Sequence, residues 1–142
     1  MDGLLELFKG FHAETQEQYG IPMDTETLRE RITQVITDHV GWVAESKGRI
    51  VGVLGGVVTS MMFDKHTKAF IETAWYVAPE ARRYGLRMMK VAEEYCLNFK
   101  IDRMIIGHMD VEDREKYEKV YARKGFKLFE QHYIKELKYA DR

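Results

Sequence analysis

Residues 71–96 confine this chain to a narrow set of folds. Ile71 to Val77 reads as a β-strand, and Pro79 ends it because proline lacks the amide that a central strand needs. The segment Tyr76-Val77-Ala78-Pro79-Glu80-Ala81-Arg82-Arg83-Tyr84-Gly85-Leu86 then passes through a short basic loop with one glycine. Beyond it, Leu86, Met89, Ala92 and Cys96 fall on one helical face. Strand, tight loop and helix start together make an anion site. The first amides of a helix lack intrahelical acceptors, and the helix dipole adds partial positive charge there. Such a loop suits the diphosphate of a nucleotide-containing cofactor.

The elements around this unit follow from periodicity. Leu4, Leu7, Phe8 and Phe11 mark an amphipathic helix over 3–17, stopped near Gly20-Ile21-Pro22. Asp24 is an N-cap for a second helix with Leu28, Ile32, Val35 and Ile36 on one side. Trp42-Val43-Ala44 and Ile50 to Thr59 flank Ser46-Lys47-Gly48-Arg49, a hairpin turn. Gly52, Gly55 and Gly56 in the second strand suggest a bulge or a close backbone approach. Met61-Met62-Phe63 reads as a turn border with core contact, or as part of an acceptor cleft. A third strand covers 68–77, a helix 83–98, a strand Arg103 to Met109, a helix 111–124 ended by Gly125, and a final strand Phe126 to Leu137. The order ααβββαβαβ implies a mixed α+β fold with helices on both faces of one sheet.

With 142 residues, 45% of them apolar, the chain reads as one domain spanning 1–142. The net charge of −1, with both signs interspersed, gives no reason to expect nucleic acid or a membrane as partner. No run approaches the roughly 18 apolar residues of a membrane span. Leu4-Leu5 is interrupted by Glu6 and Lys9, so no signal peptide is expected and a reducing, cytoplasmic setting is the default. Cys96 stands alone mid-helix, which excludes an internal disulfide or zinc framework and favours a buried apolar role. His108 and Asp110, with Glu112 and Asp113, match no compact ligand set; the acidic residues suit a helix start, and no metal is expected.

Two segments taken together carry a family resemblance. The first is Trp75 to Gly85; the second is Val120-Tyr121-Ala122-Arg123-Lys124-Gly125-Phe126. The pairing resembles the GNAT superfamily of acyl-CoA-dependent N-acyltransferases, with its Arg/Gln-x-x-Gly-x-Gly/Ala loop and later Tyr-x-x-x-Gly-Phe signature. The resemblance implies a GNAT-like, mostly antiparallel, splayed central sheet, with acetyl-CoA as co-substrate and a small-molecule or peptide amine as acceptor. It implies that backbone amides of Arg82, Arg83, Tyr84, Gly85 and Leu86 hold the pyrophosphate, and that the main chain of Tyr76 and Val77 holds the pantetheine arm. Arg82 and Arg83 are also candidates to face phosphates through charge-assisted bonds.

The loop admits two registers: either Gly85 is the first glycine and Arg87 stands at the next small position, or Gly85 is the second. The usual leading strand is short or absent, which leaves a sheet edge open for a second subunit and so a homodimer. The resemblance makes Tyr121 the acid that protonates the departing thiolate, although Arg114 replaces an asparagine often found upstream. Glu72 is the best-placed carboxylate for the base. Simple alternation puts Glu72, Ala74 and Tyr76 on one face and Thr73, Trp75 and Val77 on the other, so a bulge before Pro79 decides whether Glu72 looks into the cleft. The leading expectation is acyl transfer to a primary amine by direct attack in a ternary complex. The alternative is a fold relative that binds coenzyme A, or serves as an interaction protein, without transferring.

Overall fold

Two long strands paired along most of their length form the spine of the molecule. In the computed structural model, residues 1–108 and 113–139 are described. The order is α1 (Asp2–Thr15), α2 (Thr25–Asp38), β1 (Val40–Ser46), β2 (Arg49–Met61), β3 (Asp64–Val77), α3 (Gly85–Asn98), β4 (Arg103–Ile105) and α4 (Arg114–Arg123). The sheet runs β1-β2-β3-β4; β1 to β3 are antiparallel, and β4 is parallel to β3. This is the expected mixed α+β, mostly antiparallel arrangement. The first element is a helix, and β1 is an edge strand of the sheet.

Local chemistry sets several of these boundaries. Asp24 caps α2 by accepting the Thr27 N–H at 3.0 Å. Lys47 and Gly48 both adopt positive φ, the conformation that lets a two-residue turn follow the twist of β1 and β2. Gly125, at φ 87°, follows α4 as a left-handed stop.

Strand register assigns the faces, since directly opposed residues in antiparallel strands share one. Trp42, Leu54 and Trp75 are aligned across the sheet, as are Ala44, Gly52 and Val77. On this face α3 packs to close a core of Val51, Leu54, Val77, Ala81, Met88 and Ala92. The opposite face carries Val43, Val53 and Tyr76 in register, and there the Tyr76 ring stacks on Phe11 of α1 with centroids 4.9 Å apart. Helices therefore cover both faces. No helix among the described residues is long and apolar enough to cross a membrane.

The structure corrects several sequence expectations. β3 begins at Asp64, four residues before the expected 68, because the hairpin with β2 continues to the Met61–Asp64 pair. At its tip Met62 and Phe63 are 90% and 97% exposed, so they make no core contact. Leu86 is 46% exposed, and Met88 takes the inward position beside Met89, Ala92 and Cys96. β4 stops at Ile105, and Met109 lies outside the described residues, as do Asp110 and Glu112. The expected strand Phe126 to Leu137 does not form. Its alternation finds no facing strand among the described residues, and Leu128, Phe129, Tyr133 and Ile134 are exposed.

Among the glycines of the sheet, the closest neighbours are at Gly56. A Cβ there would meet the Ile71 carbonyl oxygen at 2.5 Å and Phe70 Cζ at 2.6 Å, whereas one on Gly55 would meet only the Val40 carbonyl oxygen at 3.6 Å. Gly56→Ala is expected to lower the melting temperature by roughly 5–10 °C. Gly55→Ala should stay within a couple of degrees of the parent, and thermal denaturation of both variants checks the contrast.

Candidate active site

The site begins where two strands part. Among the described residues β3 and β4 pair at Ala69–Arg103, Phe70–Met104 and Ile71–Ile105, while β3 continues to Val77. The Ala78 N–H donates to the Val51 carbonyl at 2.8 Å, which makes Val77–Gly52 a non-hydrogen-bonded pair, and Trp75–Leu54 another. Trp75 and Val77 therefore direct N–H and C=O away from β2, into the opening left by β4. Tyr76 directs its main chain toward Val53 of β2 instead. The Val77 carbonyl is already engaged, accepting from Arg82 Nε at 2.7 Å.

After Val77 the chain enters a 3₁₀ helix, Pro79–Tyr84, which runs directly into α3. Gly85 has φ −57°, its N–H donates to the Arg82 carbonyl, and a Cβ on it would meet only Val77 Cγ2 at 3.9 Å. Neither backbone conformation nor neighbours within the chain demand a glycine there. Arg82 turns toward α1, with Nη2 2.6 Å from Glu14 Oε1. Arg83 lies 4.5 Å over the Tyr84 ring and donates to the Tyr84 hydroxyl and the Glu80 carbonyl, both at 3.1 Å. The Tyr76 side chain faces α1 and donates its hydroxyl to Glu14 Oε2 at 2.7 Å.

A β-bulge settles the facing of Glu72. Gly55 pairs with Ala74 and Gly56 with Glu72, so Thr73 is the extra residue. The insertion moves Glu72 off the Tyr76 face and onto the face of Trp75 and Val77. Burial pushes its carboxyl up to about 7, and it has no hydrogen-bond or ion-pair partner among the described residues.

From α4, Tyr121 reaches the same side, with its ring 6.4 Å from Trp75 and 5.6 Å from His108, the latter stacked. Phe126 meets it edge-on at 5.8 Å, so the tyrosine and phenylalanine of the sequence signature are packing partners. The Tyr121 hydroxyl makes one long bond, 3.4 Å, to the Gly107 carbonyl. Burial, then the charge of nearby Glu72, then Tyr117, hold its pKa well above the ordinary phenol value.

Glu72 and Tyr121 stand out in the sequence, whereas the aromatic wall around them does not. The spacing of Tyr117 and Tyr121, one helical turn apart on α4, was the available signal, and His108 stacks on both rings. Nothing in the sequence marks Glu14 as a partner of the loop.

The family model described as the Acetyltransferase (GNAT) family matches residues 4–126. The chain belongs to the GNAT acetyltransferase family. Among solved structures, this GNAT acetyltransferase is similar to a probable acetyltransferase at 22% identity and TM-score 0.68, over 97% of this chain and 93% of that one. It is also similar to a ribosomal-protein-alanine N-acetyltransferase from Brucella melitensis biovar Abortus 2308, at 12% identity and TM-score 0.71, over 96% and 92% of the two chains. An aminoglycoside acetyltransferase from an uncultured soil metagenomic sample matches at 15% identity and TM-score 0.66, over 95% and 90%. At these identities the neighbours establish the fold. A search of curated protein sequences finds no match.

The raised Glu72 carboxyl has a consequence for stability. Its folded value of about 7 lies above the ordinary carboxyl value of 4.5, so its favourable contribution is present below pH 4.5 and is lost as pH rises through 7. Glu72→Gln in this GNAT protein should therefore raise the melting temperature at pH 8.5, by on the order of 5 °C. The gain should shrink as pH falls and vanish below about pH 4.5, and melting curves across that range check it.

Proposed function

We propose that this GNAT protein transfers an acetyl group from acetyl-CoA to a primary amine by direct attack within a ternary complex. The observation that carries the reading is the convergence of three features on one opening: the Trp75 main chain and the Val77 N–H turned away from β2, the Glu72 carboxyl and the Tyr121 hydroxyl. The main-chain groups of Trp75 and the Val77 N–H suit the amides of a pantetheine arm. The helix start at Gly85 to Leu86 suits the pyrophosphate, and the missing side chain of Gly85 leaves room for its close approach.

The chemistry divides between the two side chains. An ammonium acceptor must lose a proton before it attacks, and a carboxylate with a pKa near 7 takes that proton directly or through water. The amine nitrogen bonds to the thioester carbonyl carbon, the carbon–sulfur bond breaks, Tyr121 gives its proton to the departing thiolate, and the second proton lost by the nitrogen returns to the phenolate directly or through water. A phenol with a raised pKa remains protonated until that moment. Positioning of amine and thioester together supplies much of the remaining acceleration.

A second reading, a coenzyme A-binding protein without transfer, has support in the loop. The Gly85 N–H and the Val77 carbonyl already have partners, so the loop would hold the cofactor through fewer groups and fix its thioester less firmly for attack. Thermal denaturation with millimolar acetyl-CoA, followed by thiol release on a panel of amines, separates the two. Saturation at about a hundred times Kd should stabilise the protein by ~2.7 kcal/mol. Transfer requires both the shift and thiol release; a shift without release supports the second reading, and no shift contradicts both. Tyr121→Phe should lower kcat by about a hundredfold with the acetyl-CoA shift retained. Equal kcat would remove Tyr121 from the reaction.

A further inference from the structure

Glu14, near the C-terminal end of α1, is remote in sequence from every motif, yet it joins three parts of the molecule. Its Oε1 receives Arg82 Nη2 at 2.6 Å and its Oε2 receives the Tyr76 hydroxyl at 2.7 Å. Arg82 uses its Nε on the Val77 carbonyl at 2.7 Å, and its guanidinium lies 5.6 Å from the Tyr76 ring centroid. One carboxylate thus ties α1 to the end of β3 and to the loop that leads into α3. Gly10 accommodates the arrangement: a Cβ there would stand 3.3 Å from the Tyr76 hydroxyl. Phe11, stacked on Tyr76, fixes the ring from the same helix.

The loop needs such a strap. Ala81 breaks the helical dihedrals inside Pro79–Tyr84, with φ −121° and ψ 15°, so the segment kinks midway. Its backbone bonds are local: Ala81 N–H to the Ala78 carbonyl, and Gly85 N–H to the Arg82 carbonyl. The Arg82 side chain reaches back across the kink to Val77, and Glu14 is what holds that guanidinium in place. Burial raises the Glu14 carboxyl while the Arg82 and Tyr76 hydrogen bonds lower it further, leaving it ionised below its usual range. Both partners of the ion pair are about one-third exposed, with side-chain values of 38% for Arg82 and 36% for Glu14. Solvent therefore screens the attraction, and geometry carries more of the effect than charge.

We propose that Glu14 is a positioning residue of the cofactor site, acting through Arg82 and Tyr76 to hold the loop 78–86 in one conformation for the pyrophosphate. The proposal rests on the acetyl-CoA reading above, and it assigns Arg82 a bracing role instead of a phosphate contact. The contrary arrangement, in which Glu14 competes with phosphate for Arg82, has the opposite sign.

Hydrogen exchange and calorimetric titration decide between them. In unliganded Glu14→Ala, amides of 80–86 should exchange faster than in the parent while those of Leu5 to Phe11 are unchanged. The Kd for acetyl-CoA should rise about threefold to tenfold, with kcat at saturating cofactor unaltered, and Glu14→Gln should lie between. Unchanged loop exchange, or loss of protection throughout α1, would overturn the proposal, the latter by making Glu14 a general support of its helix. Tighter acetyl-CoA binding by Glu14→Gln would overturn it in favour of competition. If the parent protein binds no acetyl-CoA, the functional reading fails, and loop exchange still decides the role of Glu14.

Discussion

The divergence of β3 from β4 after Ile71 and Ile105 is the constraint on which the rest of the structure depends. Main-chain polar groups removed from water cost free energy unless they are paired. A central strand that loses its neighbour halfway therefore needs another partner or an opening to solvent. Here the alternation of antiparallel bonding sends the main chain of Trp75 and Val77 into that opening, while Tyr76 stays bonded to β2. The 3₁₀ turn and α3 follow immediately, so the edge of β3 that has lost β4 and a helix N-terminus sit end to end. A long ligand with amides along its arm and phosphates at its end fits that sequence of groups.

The second constraint is one inserted residue. Without the bulge at Thr73, alternation would place Glu72 beside Tyr76, on the side covered by α1. With it, Glu72 joins Trp75 on the side that Tyr121 approaches from α4. Burial then raises a carboxyl and a phenol in the same place, and the charge of one adds to the shift of the other. Two groups that hold and release protons near neutral and high pH are brought together by strand register and a single helix.

Much of this was legible in the sequence. Periodicity gave α1, α2, the β1–β2 hairpin and α3, because each has apolar residues at one consistent spacing and a clear cap or turn. The Lys47-Gly48 turn and the Asp24 cap formed at their expected positions. The outcome for Phe126 to Leu137 was not legible, since the segment carries the alternation of a strand but finds no partner among the described residues. Leu86 was misplaced because α3 begins at Gly85, where the first turn still projects from the core. At the site, Glu72 and Tyr121 could be named, but the facing of Glu72 depended on a bulge that composition does not reveal. Arg82 was legible as a cation of the loop, and its partner Glu14 was not, because that contact joins residues 68 apart in sequence.

The most direct test of the central claim is residue-resolved amide hydrogen exchange on titration with acetyl-CoA. If the splayed edge of β3 receives the pantetheine arm, the Val77 and Trp75 amides should slow on binding. The Ala74 and Tyr76 amides, directed toward β2, should change little. Protection confined to the region between α1 and α2, with Trp75 and Val77 unaffected, would contradict the account.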